Sequence, residues 1–163
     1  MKFCPQCGNP LQLKQVDGVQ RLVCTKNNCH YVHWNNPVPV VAALVEYQGA
    51  YIVARNAQWP EHIYSVISGY LEAGEAPEQA VLREVAEELG LDGRIVRSIG
   101  NYAFAEKNQI LLAYEVSAMG QITTNAELVD VRLLSANELL MYDFGHLSLT
   151  RQIIEDWQRL TET

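Results

Sequence analysis

A chain of 163 residues with 48% hydrophobic content is long enough to bury one full domain, with a little length left for an appendage; two full domains would be crowded. Its formal charge of −7 argues against a nucleic-acid partner, which requires clustered lysine and arginine, while a small anionic substrate stays compatible if metal ions mediate. No run approaches a membrane span, and Met1-Lys2-Phe3-Cys4-Pro5 lacks a signal peptide's apolar stretch, so a cytoplasmic setting without a membrane partner is expected.

All four cysteines fall in the first 29 residues: Cys4 and Cys7, then sixteen residues later Cys24 and Cys29. In a reducing compartment that pattern reads as metal more than disulfide, although two disulfides in a secreted chain are the other reading. The glycine of "CPQCG" lets the backbone turn so that both thiolates face one ion. Four thiolates suit tetrahedral Zn2+, and a closed shell of protein ligands leaves no place for substrate water, which makes the role structural. The second pair, "CTKNNC", is longer than the usual two-residue knuckle, and His30 is an alternative ligand to Cys29. Between the pairs, "LQLKQVDGVQRLVC" alternates around Asp17-Gly18 as a hairpin does. Such a ribbon is too small to fold without its metal.

"NNPVP", residues 35–39, is a proline-stiffened joint, and the boundary is placed there: residues 1–36 form the ribbon and 37–163 the main domain. Beyond it, "VPVVAALVEY" and "AYIVAR" flank Gln48-Gly49 as two buried antiparallel strands, and "IYSVIS" is a third. The loop "GYLEAGEAPE" leads to a helix that opens at Pro77 and ends at Gly90 as its C-cap. Ala80, Val81, Val85 and Leu89 form its apolar stripe, which places Glu84, Glu87 and Glu88 on the other side. "GRIVRSIGNY", "QILLAYEVSA" and "VDVRLL" read as strands. "SANELLMY", with Ser135 and Glu138 at capping-box spacing, is a helix, as is a last segment carrying Ile153, Ile154, Trp157 and Leu160. Strands interleaved with three helices give an α/β domain.

The glutamates raise an electrostatic question. At spacings of three and four, Glu84, Glu87 and Glu88 share one helical face, where like charges cost roughly a few tenths of a kcal/mol per pair. Arg83, four residues before Glu87, relieves part of that. Alone, the cluster reads as a solvated acidic face. Hard divalent cations take oxygen ligands, so the same face is also a platform for Mg2+ or Mn2+, which would spread charge over a phosphoryl group and activate water.

Residues 69–91, "GYLEAGEAPEQAVLREVAEELGL", resemble the Nudix box G-x5-E-x7-R-E-U-x-E-E-x-G-U, U being aliphatic; every specified position is filled, by Gly69, Glu75, Arg83, Glu84, Val85, Glu87, Glu88, Gly90 and Leu91. The resemblance implies a Nudix fold, a mixed β-sheet between helices, and metal-dependent hydrolysis of a pyrophosphate in a nucleoside diphosphate linked to another moiety. It further implies that the Ser68 carbonyl beside Gly69, with Glu84, Glu87 and Glu88, binds Mg2+ or Mn2+. Arg83, grouped with the catalytic glutamates, and Glu75 would hold those carboxylates in place.

A four-cysteine ribbon directly before such a box is similar to the NADH pyrophosphatase branch, from Phe3 to about Leu140. By that likeness Glu127 is a further metal ligand, and Trp34 or Tyr31 contacts the nucleotide. Where the branch carries S-Q-P-W-P-F-P-x-S, however, this chain has "IGNYAFAEKNQI", residues 99–110, without proline. A different pocket is therefore expected, with Tyr102, Phe104 and Gln109 as specificity candidates and NADH, FAD and ADP-ribose as open substrates. The alternative reading is a catalytically weak, nucleotide-sensing module; a homodimer is compatible with either.

Overall fold

The computed structural model describes residues 1–162, which divide into two compact units, Met1–Pro37 and a second that begins at Val38. In the first, β1 (Leu11–Val16) and β2 (Val19–Cys24) pair antiparallel, Leu11 opposite Cys24. Both turn residues have positive φ, Asp17 at 50° and Gly18 at 80°, the backbone that a two-residue turn between right-twisted strands requires. A two-residue strand, β3 (Val32–His33), adds to β2; it is too short to show periodicity in the sequence. Gly8, at φ 72°, closes the turn after Cys7, donating its N–H to the Cys4 carbonyl at 2.9 Å.

The second unit is built on β4 (Val38–Tyr47), whose residues 40–45 are all buried because both its faces are covered. Antiparallel β5 (Ala50–Asn56) and β6 (Ile67–Tyr70) pair with it, and β8 (Gln109–Met119) runs parallel to it. β7 (Asp92–Phe104) and β9 (Leu128–Leu134) complete a mixed sheet of order β7-β8-β4-β5-β9, with β6 attached to β4. Alternation along β4 sorts the core into two layers. Val41, Ala43 and Val45 face α1 (Pro77–Leu89) through Ala80, Val81, Val85 and Leu89, while Ala42 and Leu44 pack with Ile153, Ile154 and Trp157 of α3 (Ser148–Thr161). The domain is thus a sheet between helices. A short α2 (Ala136–Met141) carries the expected Ser135–Glu138 capping box.

Two expectations change. The third strand begins at Ile67 rather than Ile63 and continues through Gly69 and Tyr70, which stay in register with Val41 and Val40 of β4. Ser65 instead forms an isolated bridge with Ala54. On α1, Glu88, on the side away from the apolar stripe with Glu84 and Glu87, is nonetheless buried at 6% exposure; the segment after β8 closes the helix end, with Asn125 N–H reaching the Glu88 carbonyl and Thr123 N–H the Leu89 carbonyl.

Candidate active site

The site is assembled where β6 ends and α1 begins its second half. Helix α1 starts on Pro77, whose missing N–H needs no partner there, and Gln79 accepts a hydrogen bond from the Ala76 amide at 3.0 Å. Gly90, at φ 68°, closes the helix by donating to the Ala86 carbonyl at 2.9 Å. The helix therefore presents its glutamates in fixed phase against the sheet.

Gly69 and Glu84 fit each other. A Cβ on Gly69 would overlap the carboxyl carbon and both oxygens of Glu84. Only a residue without a side chain lets this carboxylate lie against β6. Its position is also held from the other side. Arg83 donates from Nη1 to Glu84 Oε1 at 2.7 Å and to Glu87 Oε2 at 3.1 Å. From Nε and Nη2 it grips both oxygens of Glu75 at 2.9 and 3.0 Å, and Nη2 also reaches the Tyr70 carbonyl at 3.1 Å. A guanidinium has five N–H donors, and these bonds engage all five. Glu75 in turn accepts from the Glu72 amide at 3.2 Å, so the loop, β6 and α1 are tied through one arginine.

Among the described residues no ion pair involves Glu88 or Glu127. Burial pushes the Glu84 carboxyl above its ordinary range, although Arg83 opposes this. Glu88 is pushed up to about 8 by burial first, then by the charges of Glu84, Glu127 and Glu87. Glu127 stands on the loop before β9, whose backbone is fixed by the Ala57 amide donating to the Glu127 carbonyl at 2.7 Å and by the Asn125 side chain. Buried oxygen donors that also repel one another are what a divalent cation would compensate, so the donor set fits a hard metal ion.

A cleft of about 530 Å3 opens over these groups. Ser68, Gly69, Arg83, Glu84, Glu87, Glu88, Glu127 and Gln109 all line it, so the structure brings together most of the residues singled out from the sequence. Gln109 donates to the Tyr70 hydroxyl at 3.1 Å. A second hollow of about 40 Å3, bounded by Trp59, Asn56, Ser68 and Glu88, has room for a few waters but not for a base.

Two other candidates of the second unit lie elsewhere. Tyr102 is 5% exposed in the α3 layer and donates to Asp156 at 2.8 Å, so it is a core residue and does not line the cleft. Phe104 does not line the cleft; its ring lies 5.4 Å from the Lys107 ammonium. In the ribbon unit, Trp34 is 47% exposed with the Arg21 guanidinium 4.7 Å over its ring, and Tyr31 reaches Met1. Tyr70, Glu72 and Lys107 line the cleft but were not foreseen, since each is a single polar or aromatic residue in a loop or at a strand end, without periodic signal.

The four cysteine Sγ atoms lie within 4.8 Å of one another, Cys4 to Cys29 at 3.7 Å and Cys7 to Cys24 at 3.4 Å, all as free thiols. His30 is not part of the cluster. The Asn9 side chain, and then its backbone amide, lower the Cys7 thiol to about 6. A closed four-sulfur set, one member already inclined to the thiolate, fits a tetrahedral soft-ligand metal.

A carboxylate-lined cleft at a strand–loop–helix turn and a four-thiol ribbon define a metal-binding protein with one open and one closed site. The NUDIX domain model matches residues 36–155 and the Nudix N-terminal model, a zinc ribbon, residues 2–35. The chain belongs to the Nudix family. It is 34% identical over 116 residues to the NAD-capped RNA hydrolase NudC of Vibrio atlanticus, covering 70% of this chain and 41% of that protein. It is 36% identical over 102 residues to the human mitochondrial NAD(P)H pyrophosphatase NUDT13, covering 63% and 27%. The chain thus spans less than half the length of either relative. A crystal structure of a NUDIX hydrolase from Nitrosomonas europaea superposes with a TM-score of 0.80 at 22% identity, covering 98% of this chain and 93% of that one, which shows the shared fold.

Proposed function

We propose that the protein hydrolyses the pyrophosphate of a nucleoside diphosphate linked to another moiety, with dinucleotides of the NAD type, FAD and ADP-ribose as the substrate class. The observation that carries this is the contact of Glu84 with Gly69, which sets one carboxylate of a complete Nudix box beside buried Glu88 in an open cleft. The names of the relatives above support the dinucleotide class.

In this reading, Glu84, Glu87, Glu88, Glu127 and the Ser68 carbonyl hold Mg2+ or Mn2+, and Cys4, Cys7, Cys24 and Cys29 hold Zn2+. When bound, Mg2+ or Mn2+ supplies neutralisation of the phosphoryl oxygens and an activated water. Arg83 is a positioning residue, since its donors are engaged within the protein: it sets Glu84 and Glu87 and locks the loop through Glu75. The fold around Glu88 excludes bulk water and strengthens every charge interaction there. The assignment of residues 1–36 to a ribbon and 37–163 to the hydrolase domain belongs to the same reading.

The test is chromatographic analysis of NADH, NAD, FAD, ADP-ribose and nucleoside triphosphates incubated with Mg2+ or Mn2+. Cleavage of a dinucleotide by wild type but not by Glu87→Gln or Glu88→Gln is the expected result. Equal rates in the variants refute the site, and binding without cleavage in excess metal refutes the enzyme.

A further inference from the structure

The cleft is strongly acidic, yet its intended ligand is an anion. Among its lining residues only Arg83 and Lys107 carry positive charge. Arg83 has no donor left, because Glu75, Glu84, Glu87 and the Tyr70 carbonyl engage all five of its N–H groups. Lys107 differs. Among the described residues no carboxylate lies within ion-pair distance of its ammonium, whose recorded neighbour is the Phe104 ring at 5.4 Å.

Its backbone is nevertheless fixed. Lys107 ends the single 3-10 turn Ala105–Lys107 between β7 and β8. Asn108 follows at φ 51° and donates to the Ala105 carbonyl at 3.1 Å, and its own carbonyl accepts from the Val38 amide at 2.8 Å. The turn is thereby pinned to the first residue of the central strand. A compact ammonium on a flexible stem, rooted in a fixed turn, is suited to meet a phosphate oxygen.

We propose that Lys107 binds a phosphate oxygen of the substrate in the cleft. This rests on the hydrolase reading above and adds to it a protein cation that the ligand can use. The phosphate belongs either to the pyrophosphate being cleaved or to a further phosphate on the nucleotide. NADH and NADPH, which differ by one ribose phosphate, distinguish the two sources.

The experiment compares wild type with Lys107→Ala, Lys107→Gln and Lys107→Arg on both dinucleotides, as kcat/KM with Mg2+ and as Kd by calorimetry with Ca2+ in its place. Lys107 is exposed, so the variants retain the fold, which thermal melting checks. Loss of a charged hydrogen bond predicts a fall of about tenfold or more in kcat/KM and affinity for the alanine and glutamine variants. Lys107→Arg retains most of both, and wild-type binding weakens more steeply with salt than that of Lys107→Ala. An equal loss on NADH and NADPH assigns the pyrophosphate; a loss confined to NADPH assigns the additional phosphate. Lys107→Ala values within twofold of wild type on both ligands overturn the proposal, as does a wild type that binds neither. Binding without cleavage sinks the hydrolase reading alone, since the Kd comparison still decides on Lys107.

Discussion

The cysteine ribbon and the carboxylate cleft each gather metal-type side chains, and they hold them differently. In the ribbon the four sulfurs already meet within 4.8 Å, with Cys4 and Cys24 buried. In the cleft, Glu84 and Glu87 meet at a guanidinium rather than at each other, while among the described residues Glu88 and Glu127 form no ion pair and line about 530 Å3 of open space. A closed set of ligands leaves an ion nothing to do but hold the backbone. An open set keeps positions for a ligand and its water.

That contrast is testable, and the largest effect belongs to the ribbon. Chelation of about one zinc per chain should abolish hydrogen-exchange protection of the β1–β2 amides, since structural zinc contributes about 10–16 kcal/mol in comparable small modules. The buried layers of the second unit should keep their protection; loss of protection throughout would break the distinction. In the cleft, chemistry rather than structure should suffer. Glu88→Gln is expected to lower kcat by roughly 10²–10⁴-fold, the range for a positioned catalytic group, with a thermal midpoint no lower than wild type. Gly69→Ala comes next: its methyl group displaces the Glu84 carboxylate, predicting a loss of about 10–100-fold in activity or metal affinity, read by activity against Mn2+ concentration.

A last effect is one of pH in the metal-free protein. The folded chain keeps a proton on Glu88 up to about 8, whereas the unfolded chain releases it in the ordinary carboxylate range. Over that interval the unfolded state binds fewer protons, so this group's contribution is complete at low pH and is lost as pH rises towards 8. The unfolding free energy in chelator should therefore fall from pH 5 to pH 8, by up to about 1.4 kcal/mol per pH unit, and thermal midpoints should fall with it. Glu88→Gln, or excess Mg2+, should flatten the slope. A wild-type slope identical to that of the variant would show that Glu88 does not carry it.

Much of this architecture was legible because it is local. Hairpin turns, the Pro77 start and Gly90 stop of α1, and the capping box at Ser135 depend on neighbours in sequence and emerged as expected. The apolar stripe of α1 was also correct in its members. That Glu88, on the side away from this stripe, is nonetheless buried was not legible, because helical phase locates a side chain around the axis but does not say what surrounds it; Val66, Ser68 and Leu128 share a hollow with it. The side on which Tyr102 falls was not legible for a related reason: strand alternation gives two faces, and the packing of α3 decides which of them is core.

By itself, the sequence determined the ligand types, their spacing and the family to which they belong, since the four cysteines and the Nudix box are patterns of residue identity along the chain. Tertiary structure alone decided that Glu84 rests on Gly69, that Arg83 has no donor to spare and that Lys107 stands at the cleft with no carboxylate partner among the described residues. The reason is that dielectric, charge repulsion and donor availability are properties of what surrounds a group, and those surroundings come from segments distant in sequence.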